Sequence, residues 1–272
     1  HKFDAISTQD FYSIYGVVKS SRYQQSTLRP ANYIETSLHA LEILQEEVQT
    51  HLDKDLSKAV EQSNVLAEMP KDGLSILGDV STDRFETWYF DDEALSTDPY
   101  VKPGSIVHRP GETGVLLATR EAIDSAKWSV ALQGSLRSPT FNIPHRYLHV
   151  YASGKDSRVN VVIDNFNLIR APIYGGLKKN LKSDEASWVT FDLAMWEGHQ
   201  AYVELKDTMH SDLSGGGAHG PNAWFSVETV LSSNDSKPPS LKRREIQISL
   251  EDLPVGIKDK IDSYSETAAS IK

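Results

Sequence analysis

The chain has no cysteine. That excludes disulfides, thiolate zinc sites, cysteine nucleophiles and covalent haem attachment within these residues. It has no run of 18 apolar residues, so no segment reads as a membrane-spanning helix. Positive charge is in deficit: 28 Lys and Arg face 38 Asp and Glu, a net charge of −10. A chain of that sign is a poor partner for nucleic acid or an anionic membrane surface. Motifs of common chemistry are absent too. There is no Gly-x-Ser-x-Gly elbow, and Ser135 and Ser138 have no triad context. The glycine-rich stretch Asp212–Asn222 lacks Gly-Lys-Ser/Thr and does not sit between a strand and a helix, so it is no phosphate loop.

What is present is enough for one large or two ordinary domains. The chain has 272 residues, of which 39% are hydrophobic and 24% charged, an ordinary mix for a protein with a sizeable core. It opens on HKFDAISTQDF, with neither Met nor an apolar stretch, and reads as a piece of a longer protein.

Periodicity divides the chain into three parts. Residues 1–75 read as helical. A short amphipathic helix over 7–20 has Ser7 or Thr8 as its cap and Phe11, Ile14, Tyr15 and Val18 as its packing stripe. A long helix over 33–68 has Asn32 and Glu35 at its start and Pro70 beyond its end. Its ladder Leu38, Leu41, Leu44, Val48, Leu52, Leu56, Val60 advances about 3.7 residues per step. That is nearer a straight helix than a left-handed coiled coil, so the helix should lie against another element. Residues 76–235 are β-rich. Short alternating runs such as Tyr147–Ala152 and Ala201–Lys206 are separated by turns, the pattern of an antiparallel sandwich or jelly roll. In the second run Tyr202, Glu204 and Lys206 share one face. Residues 236–272 are a Pro- and charge-rich linker and a C-terminal helix, the natural partner for the long one. The expected fold is therefore mainly β with flanking helices, a jelly-roll sandwich set into a helical frame.

Candidate chemistry concentrates at the ends of these runs. Sugar binding needs flat aromatic faces beside hydrogen-bonding groups. Trp188 and Trp224 lie inside strands and read as core, whereas Trp196 precedes a Glu197-Gly198-His199 turn and reads as rim. Tyr174 stands beside Gly175 and Gly176, which permit a close approach. Arg170 ends its strand and either bridges to Asp164 or Asp192 or meets a ligand. Asp207, His210, Asp212 and His219 lie close along the chain. They read as a solvated acidic loop, as ligands of a structural Ca²⁺ with Glu86 contributing, or as ligands of a transition metal. Asp91, Asp92, Glu197, Glu204 and Asp207 are carboxylates of the kind a glycosidase pairs, but nothing fixes a separation between any two.

Ordered residues carry a resemblance. They are Phe85, Glu86 and Trp88; Ser138, Pro139 and Phe141; Ile169 and Arg170; Trp188, Asp192 and Leu193; Gly198 to Tyr202; Asp207; and the strand Trp224–Val230. This set resembles the C-terminal β-sandwich of fructan-hydrolysing glycosidases and related lectin-like jelly rolls. The family commonly places a Gly before Ala-Phe near its first strand, where this chain reads Asp91-Asp92-Glu93-Ala94-Leu95. The whole chain also resembles a central segment of the cytochrome-c-domain proteins of planctomycetes, through His1–Tyr15, Ser20–Gln24, Ser135–Phe141, Ile169–Leu177 and Trp188–Tyr202. Those proteins place a Cys-x-x-Cys-His motif just upstream. The resemblances imply a non-catalytic module within an exported, periplasmic or extracellular multidomain protein. It would bind a polysaccharide or glycan through Arg170, Tyr174, Trp196, His199 and His219, or pack on neighbouring redox domains. They imply no haem in this chain and at most a structural calcium at Glu86, Asp207 and Asp212.

Overall fold

The computed structural model describes residues 7–20, 34–62, 73–82, 85–109, 114–166, 169, 173–207, 222–240 and 250–271, without the side chains of 19–20, 54–62 and 252. Helix α1 spans Thr8–Ser20. Ser7 caps it, its Oγ accepting the Asp10 N–H at 3.1 Å and donating to the Asp10 carboxylate at 2.6 Å. This reciprocal arrangement satisfies amides that a first turn leaves open. Its stripe does not pack as expected: Phe11, Ile14, Tyr15 and Val18 are all more than half exposed.

Helix α2 spans Glu35–Gln62; Asn32, residues 63–68 and Pro70 lie outside the described residues. Leu38, Leu41, Val48 and Leu52 are buried. They face α4, Val255–Ser270, which buries Ile257, Ile261, Tyr264 and Ala268 at helical spacing. Lys260 and Glu47 pair across the two helices. The pair docks on the β-body through polar contacts. Tyr264 donates its hydroxyl to the Lys127 carbonyl at 2.6 Å, and Ser129 donates to the Ala268 carbonyl at 2.8 Å. From α2, the Gln45 amide oxygen accepts the Ile106 N–H at 2.9 Å.

Among the described residues, the β-body is one curled antiparallel sheet of ten strands with a separate two-stranded ribbon. Its strands are β1 (Leu74–Asp79), β2 (Tyr89–Asp91), β3 (Tyr100–Val101), β6 (Ala122–Asp124), β7 (Gly134–Arg137), β8 (Phe141–Asn142), β9 (Tyr147–Ile163), β10 (Lys178–Asp192), β11 (Gln200–Asp207) and β12 (Trp224–Ser233). Strands β4 (Ile106–His108) and β5 (Val115–Leu117) form the ribbon, and the four-residue helix α3 (Glu93–Ser96) follows β2.

The long strand β9 makes the sandwich. One edge pairs with β10 along most of its length. The other edge pairs with β12 over Tyr147–Lys155, then with β11 over Arg158–Ile163. The change of partner falls at Asp156, whose φ is 51°, where the register with β10 also shifts. A bulge that bends a strand lets it serve two layers. One layer therefore carries β12, β1, β6 and β3, and the other β11, β7, β2 and β8. Leu148, Val150, Val159, Val161, Val203, Leu205, Leu136 and Phe225 lie within the shared core. Gly154, just before the bend, is required by close approach. A Cβ there would stand 2.5 Å from Ser157 Oγ and 2.7 Å from the Trp224 carbonyl oxygen.

Candidate functional site: an aromatic rim and a polar sheet face

Two turns and a 3₁₀ segment bring the expected rim residues together. After β9 the chain reverses through Ile163–Phe166. Asp164 and Asn165 have φ of 49° and 62°, and the Phe166 N–H bonds the Ile163 carbonyl at 2.8 Å. Positive φ at both central positions is the mark of a type I′ turn, which Asp and Asn tolerate. Between β10 and β11, the Trp196 carbonyl accepts the His199 N–H at 3.0 Å. Glu197 has φ −56° and ψ 132°, and Gly198 has φ 81°. This is a type II turn, and its third position needs glycine.

The result is a chain of rings. Phe166 lies 4.9 Å from Tyr174, Tyr174 stacks on Trp196 at 5.1 Å and 22°, and Trp196 meets His199 edge-on at 5.8 Å. Tyr174 and Trp196 are half-buried, and Phe166 and His199 are exposed. His199 Nδ1 lies 2.7 Å from Asp164 Oδ2, and Asp164 Oδ1 accepts the Gln200 N–H at 3.1 Å. Tyr174, Trp196 and His199 therefore share one patch.

The other candidates are placed differently. Arg170, Asp212, His219 and His210 lie outside the described residues. The carboxylates considered as partners for Arg170 have others: Asp164 has His199, and Asp192 has Arg146 in a two-point contact at 3.1 and 2.8 Å. The Arg146 bonds and the Ala194 N–H hold the Asp192 pKa below its ordinary value. Glu86 is exposed in the turn before β2. Asp207 is fully buried, accepts the Ser125 hydroxyl at 2.7 Å, and has its pKa pushed well up by burial. Among the described residues, no group of three or more His, Asp or Glu side chains converges as a metal site. Trp224 is core at 2% exposure, with the Arg109 guanidinium 3.7 Å from its ring centroid. Trp188 differs from the core expectation: among the described residues β10 pairs with β9 alone, and Trp188 is half-buried against Tyr151 at 5.1 Å.

A second arrangement was not picked out as a site from sequence. On the side of the β11 layer turned away from Leu136, Val203 and Leu205, paired positions align across four strands. Tyr89, Arg137, Glu204 and Asn160 form one row, and Asp91, Ser135, Lys206 and Arg158 the next. Glu204 is 5% exposed and Asn160 6%. Asn160 Nδ2 donates to Glu204 at 3.2 Å, and Lys206 Nζ lies 3.0 Å from the same carboxylate. Arg137 lies 4.1 Å from the ring of Tyr202 and 5.6 Å from that of Tyr89. The Tyr202, Glu204, Lys206 alternation was visible in β11 alone; the cross-strand register that completes the rows was not. Two grooves of about 590 and 580 Å³ lie elsewhere. One is between α2 and residues 98–128, the other between the β4–β5 ribbon and β12.

No family model matches the chain, and no curated protein matches it. Among solved structures it is similar to a family two carbohydrate esterase from Cellvibrio japonicus, at 10% identity over 57% of this chain, with a TM-score of 0.24. The chain spans 36% of that esterase. It is also similar to TmCBM61 in complex with β-1,4-galactotriose, at 11% identity over 58% of this chain and 96% of that one, TM-score 0.30. A third is the K3 cleaved adhesin domain of Lys-gingipain from Porphyromonas gingivalis w83, at 13% identity over 54% and 92%, TM-score 0.28. None of these TM-scores supports transfer of a site.

Proposed function

We propose that the chain is a non-catalytic glycan-recognition module, with a sugar docking on the Tyr174–Trp196 rim. The carrying observation is the ring chain of half-buried Tyr174 and Trp196, flanked by exposed Phe166 and His199, beside the His199–Asp164 pair. A pyranose has apolar C–H faces and hydroxyl edges. The rings offer the flat apolar contact, and the imidazole and carboxylate offer hydrogen bonds at its edge. The resemblance to exported proteins extends this reading to a polysaccharide met in the periplasm or outside the cell.

The test is a glycan array of plant and algal polysaccharides, followed by affinity measurement on the best binder. Trp196→Ala should weaken binding by about tenfold or more, the loss expected from about 1.4 kcal/mol of stacking and burial. Unchanged binding in Trp196→Ala and Tyr174→Ala removes the rim from the site. No binding by the wild-type chain overturns the function.

A second reading, packing on neighbouring domains of a larger protein, is favoured by α1. Phe11, Ile14 and Val18 are 58%, 60% and 65% exposed, an apolar stripe of the kind proteins cover. Under that reading Phe11→Ser with Ile14→Ser improves solubility and leaves glycan binding untouched.

A further inference from the structure

We propose that the groove between the β4–β5 ribbon and β12 is a second binding site, and that it takes a neutral oligosaccharide. This rests on the glycan-recognition reading but not on the rim. The groove holds about 580 Å³, within the ordinary range of a small-molecule site. Its floor is the outer side of the β12 layer. Side chains alternate across a strand, and Ile123, Val227 and Ala152 face the core. Their neighbours Asp124, Ser226 and Ser153 therefore share the other side, in one row across β6, β12 and β9. All three line the groove. Ser153 is 7% exposed. Among the described residues, neither its hydroxyl nor that of Ser226 has a hydrogen-bond partner.

The second observation is a pair of register breaks on the two strands that flank β9. Both deliver polar side chains to this groove. In β10, residues 184–186 stand against the single Ser153. Ser183 pins the excursion, its Oγ accepting the Glu185 N–H at 3.1 Å and donating to the Glu185 carbonyl at 3.0 Å. Asp184 and Glu185 line the groove. In β12, Glu228 is the extra residue between the pairs Val227–Ala152 and Thr229–Tyr151. It lines the groove beside Arg120, whose Nη1 lies 3.5 Å from Glu228 and 3.3 Å from the Tyr151 hydroxyl. Bulges re-aim side chains, and they gather beside sites. Two of them meeting at one cavity, on different strands, point to a ligand.

The lining specifies the ligand class. Serine hydroxyls donate and accept, the guanidinium donates, and the carboxylates accept. A series of sugar hydroxyls matches that mixed set. Charges nearly cancel: Arg109, Arg120 and Lys155 face Asp124, Asp184, Glu185 and Glu228. Arg109 pairs with Asp124, and Arg120 with Glu228, so no strong field recruits an ion of either sign. Leu116 on the ribbon, 41% exposed, gives apolar surface to the C–H face of a ring. From Asp124 to β10 the row crosses three strand spacings, about 14 Å. That exceeds one pyranose ring, so several linked rings fit it better than one.

The experiment uses the full chain and three probe sets: neutral cello-, manno-, xylo- and galacto-oligosaccharides, anionic oligogalacturonates and cationic chitosan oligomers. Wild type is expected to bind a neutral probe. Ser226→Val removes a floor hydroxyl and should weaken binding at least tenfold. Glu185→Ala alters an exposed side chain, keeps the backbone bonds to Ser183, and should weaken binding a few-fold with an unchanged thermal midpoint. Where Ser226→Val fails to fold, Glu185→Ala decides, and unchanged affinity there overturns the groove. Loss in the groove variants with full binding in Trp196→Ala supports the groove and overturns the rim. Loss in Trp196→Ala with full binding in the groove variants overturns the groove and leaves the rim. Partial loss in both, with two probes bound per wild-type chain, supports the groove as a second site. Preference for either charged set over every neutral probe overturns the ligand class. No binding of any set overturns the glycan-recognition reading together with the groove.

Discussion

His199 Nδ1 and Asp164 Oδ2 meet at 2.7 Å, and they come from turns 35 residues apart in the chain. The contact ties the end of β9 to the start of β11. The same carboxylate accepts the Gln200 N–H through its other oxygen, so it fixes both the imidazole and the backbone that follows.

That double role predicts a graded result. Asp164→Asn keeps an acceptor and tolerates the left-handed backbone, so stability should change by less than about 0.5 kcal/mol at this exposed position. It weakens the hold on His199, and glycan affinity should fall a few-fold. Asp164→Ala keeps neither acceptor, is strained at positive φ, and should cost about 1–2 kcal/mol. Thermal melts and titration of both variants check this. Melting points and affinities of both variants equal to the wild type's would show the carboxylate to be idle.

Gly154 predicts a sharp steric effect. An alanine Cβ would stand 2.5 Å from Ser157 Oγ, 2.7 Å from the Trp224 carbonyl oxygen and 3.0 Å from Leu181 Cβ. The carbonyl belongs to a strand paired on both edges and cannot swing aside. Gly154→Ala should therefore cost about 1–3 kcal/mol. Gly176, which meets nothing within 4 Å, is the control: Gly176→Ala should be near neutral. Denaturant midpoints for the two variants decide it.

How far the sequence could reach follows from which interactions are local. Periodicity alone located α2 and α4 and named their contact, because an apolar ladder at 3–4 spacing is a property of a single segment. The strand runs around Tyr147 and Ala201 and the turn at Gly198 were legible for the same reason; the turn at Asp164 was not, since the strand was expected to run on to Arg170. Tyr174, Trp196 and His199 were singled out by residue type and turn context; that they stand together needed a stacking distance that no segment encodes. The polar rows needed still more. Glu204 joins Asn160 and Arg137 only through the register of three strands distant in sequence, and register depends on tertiary pairing. The stretch Asp91–Leu95 was noticed as a departure from a family pattern, but the strain at Asp92 is a dihedral fact. The α1 stripe was read as packing because amphipathicity does not say whether a partner is present.

Asp92 and His108 push stability in opposite directions as acid is added. Burial, with Arg109 adding, lowers the His108 pKa from 6.5 to about 4, and His108 Nδ1 accepts the Val130 N–H at 3.1 Å. Between those values the unfolded chain binds a proton that the folded chain refuses, so stability falls as pH drops through the window. Asp92 runs the other way. Its pKa rises from 3.8 to about 6, so the folded chain holds a proton that the unfolded chain releases. Stability then falls as pH climbs from about 4 to about 6 and is level above. Asp92→Asn removes that loss. Its melting point should exceed the wild type's by a margin that grows between about pH 4 and 6 and then stays constant. His108→Gln should flatten the acid-side decline. A pH-independent margin in Asp92→Asn contradicts the assignment.

Arg109 predicts that charge alone is not enough. Its guanidinium reaches both oxygens of Asp124, one at 3.1 Å, donates to the His108 carbonyl at 2.9 Å, and lies over Trp224 at 3.7 Å. The pair is largely buried, with side chains 12% and 3% exposed. Lysine would keep the charge but lose the planar fork and the stacking. Arg109→Lys should therefore cost on the order of 2 kcal/mol, because one of two charge-assisted bonds and the ring contact go. Arg109→Met strands the Asp124 carboxylate and should cost about 3–5 kcal/mol. For a chain of this size each kcal/mol moves the melting point by about 2–4 °C, so thermal melts resolve the two variants. If Lys matches wild type, the interaction is a point-charge pair and the stacking on Trp224 contributes nothing.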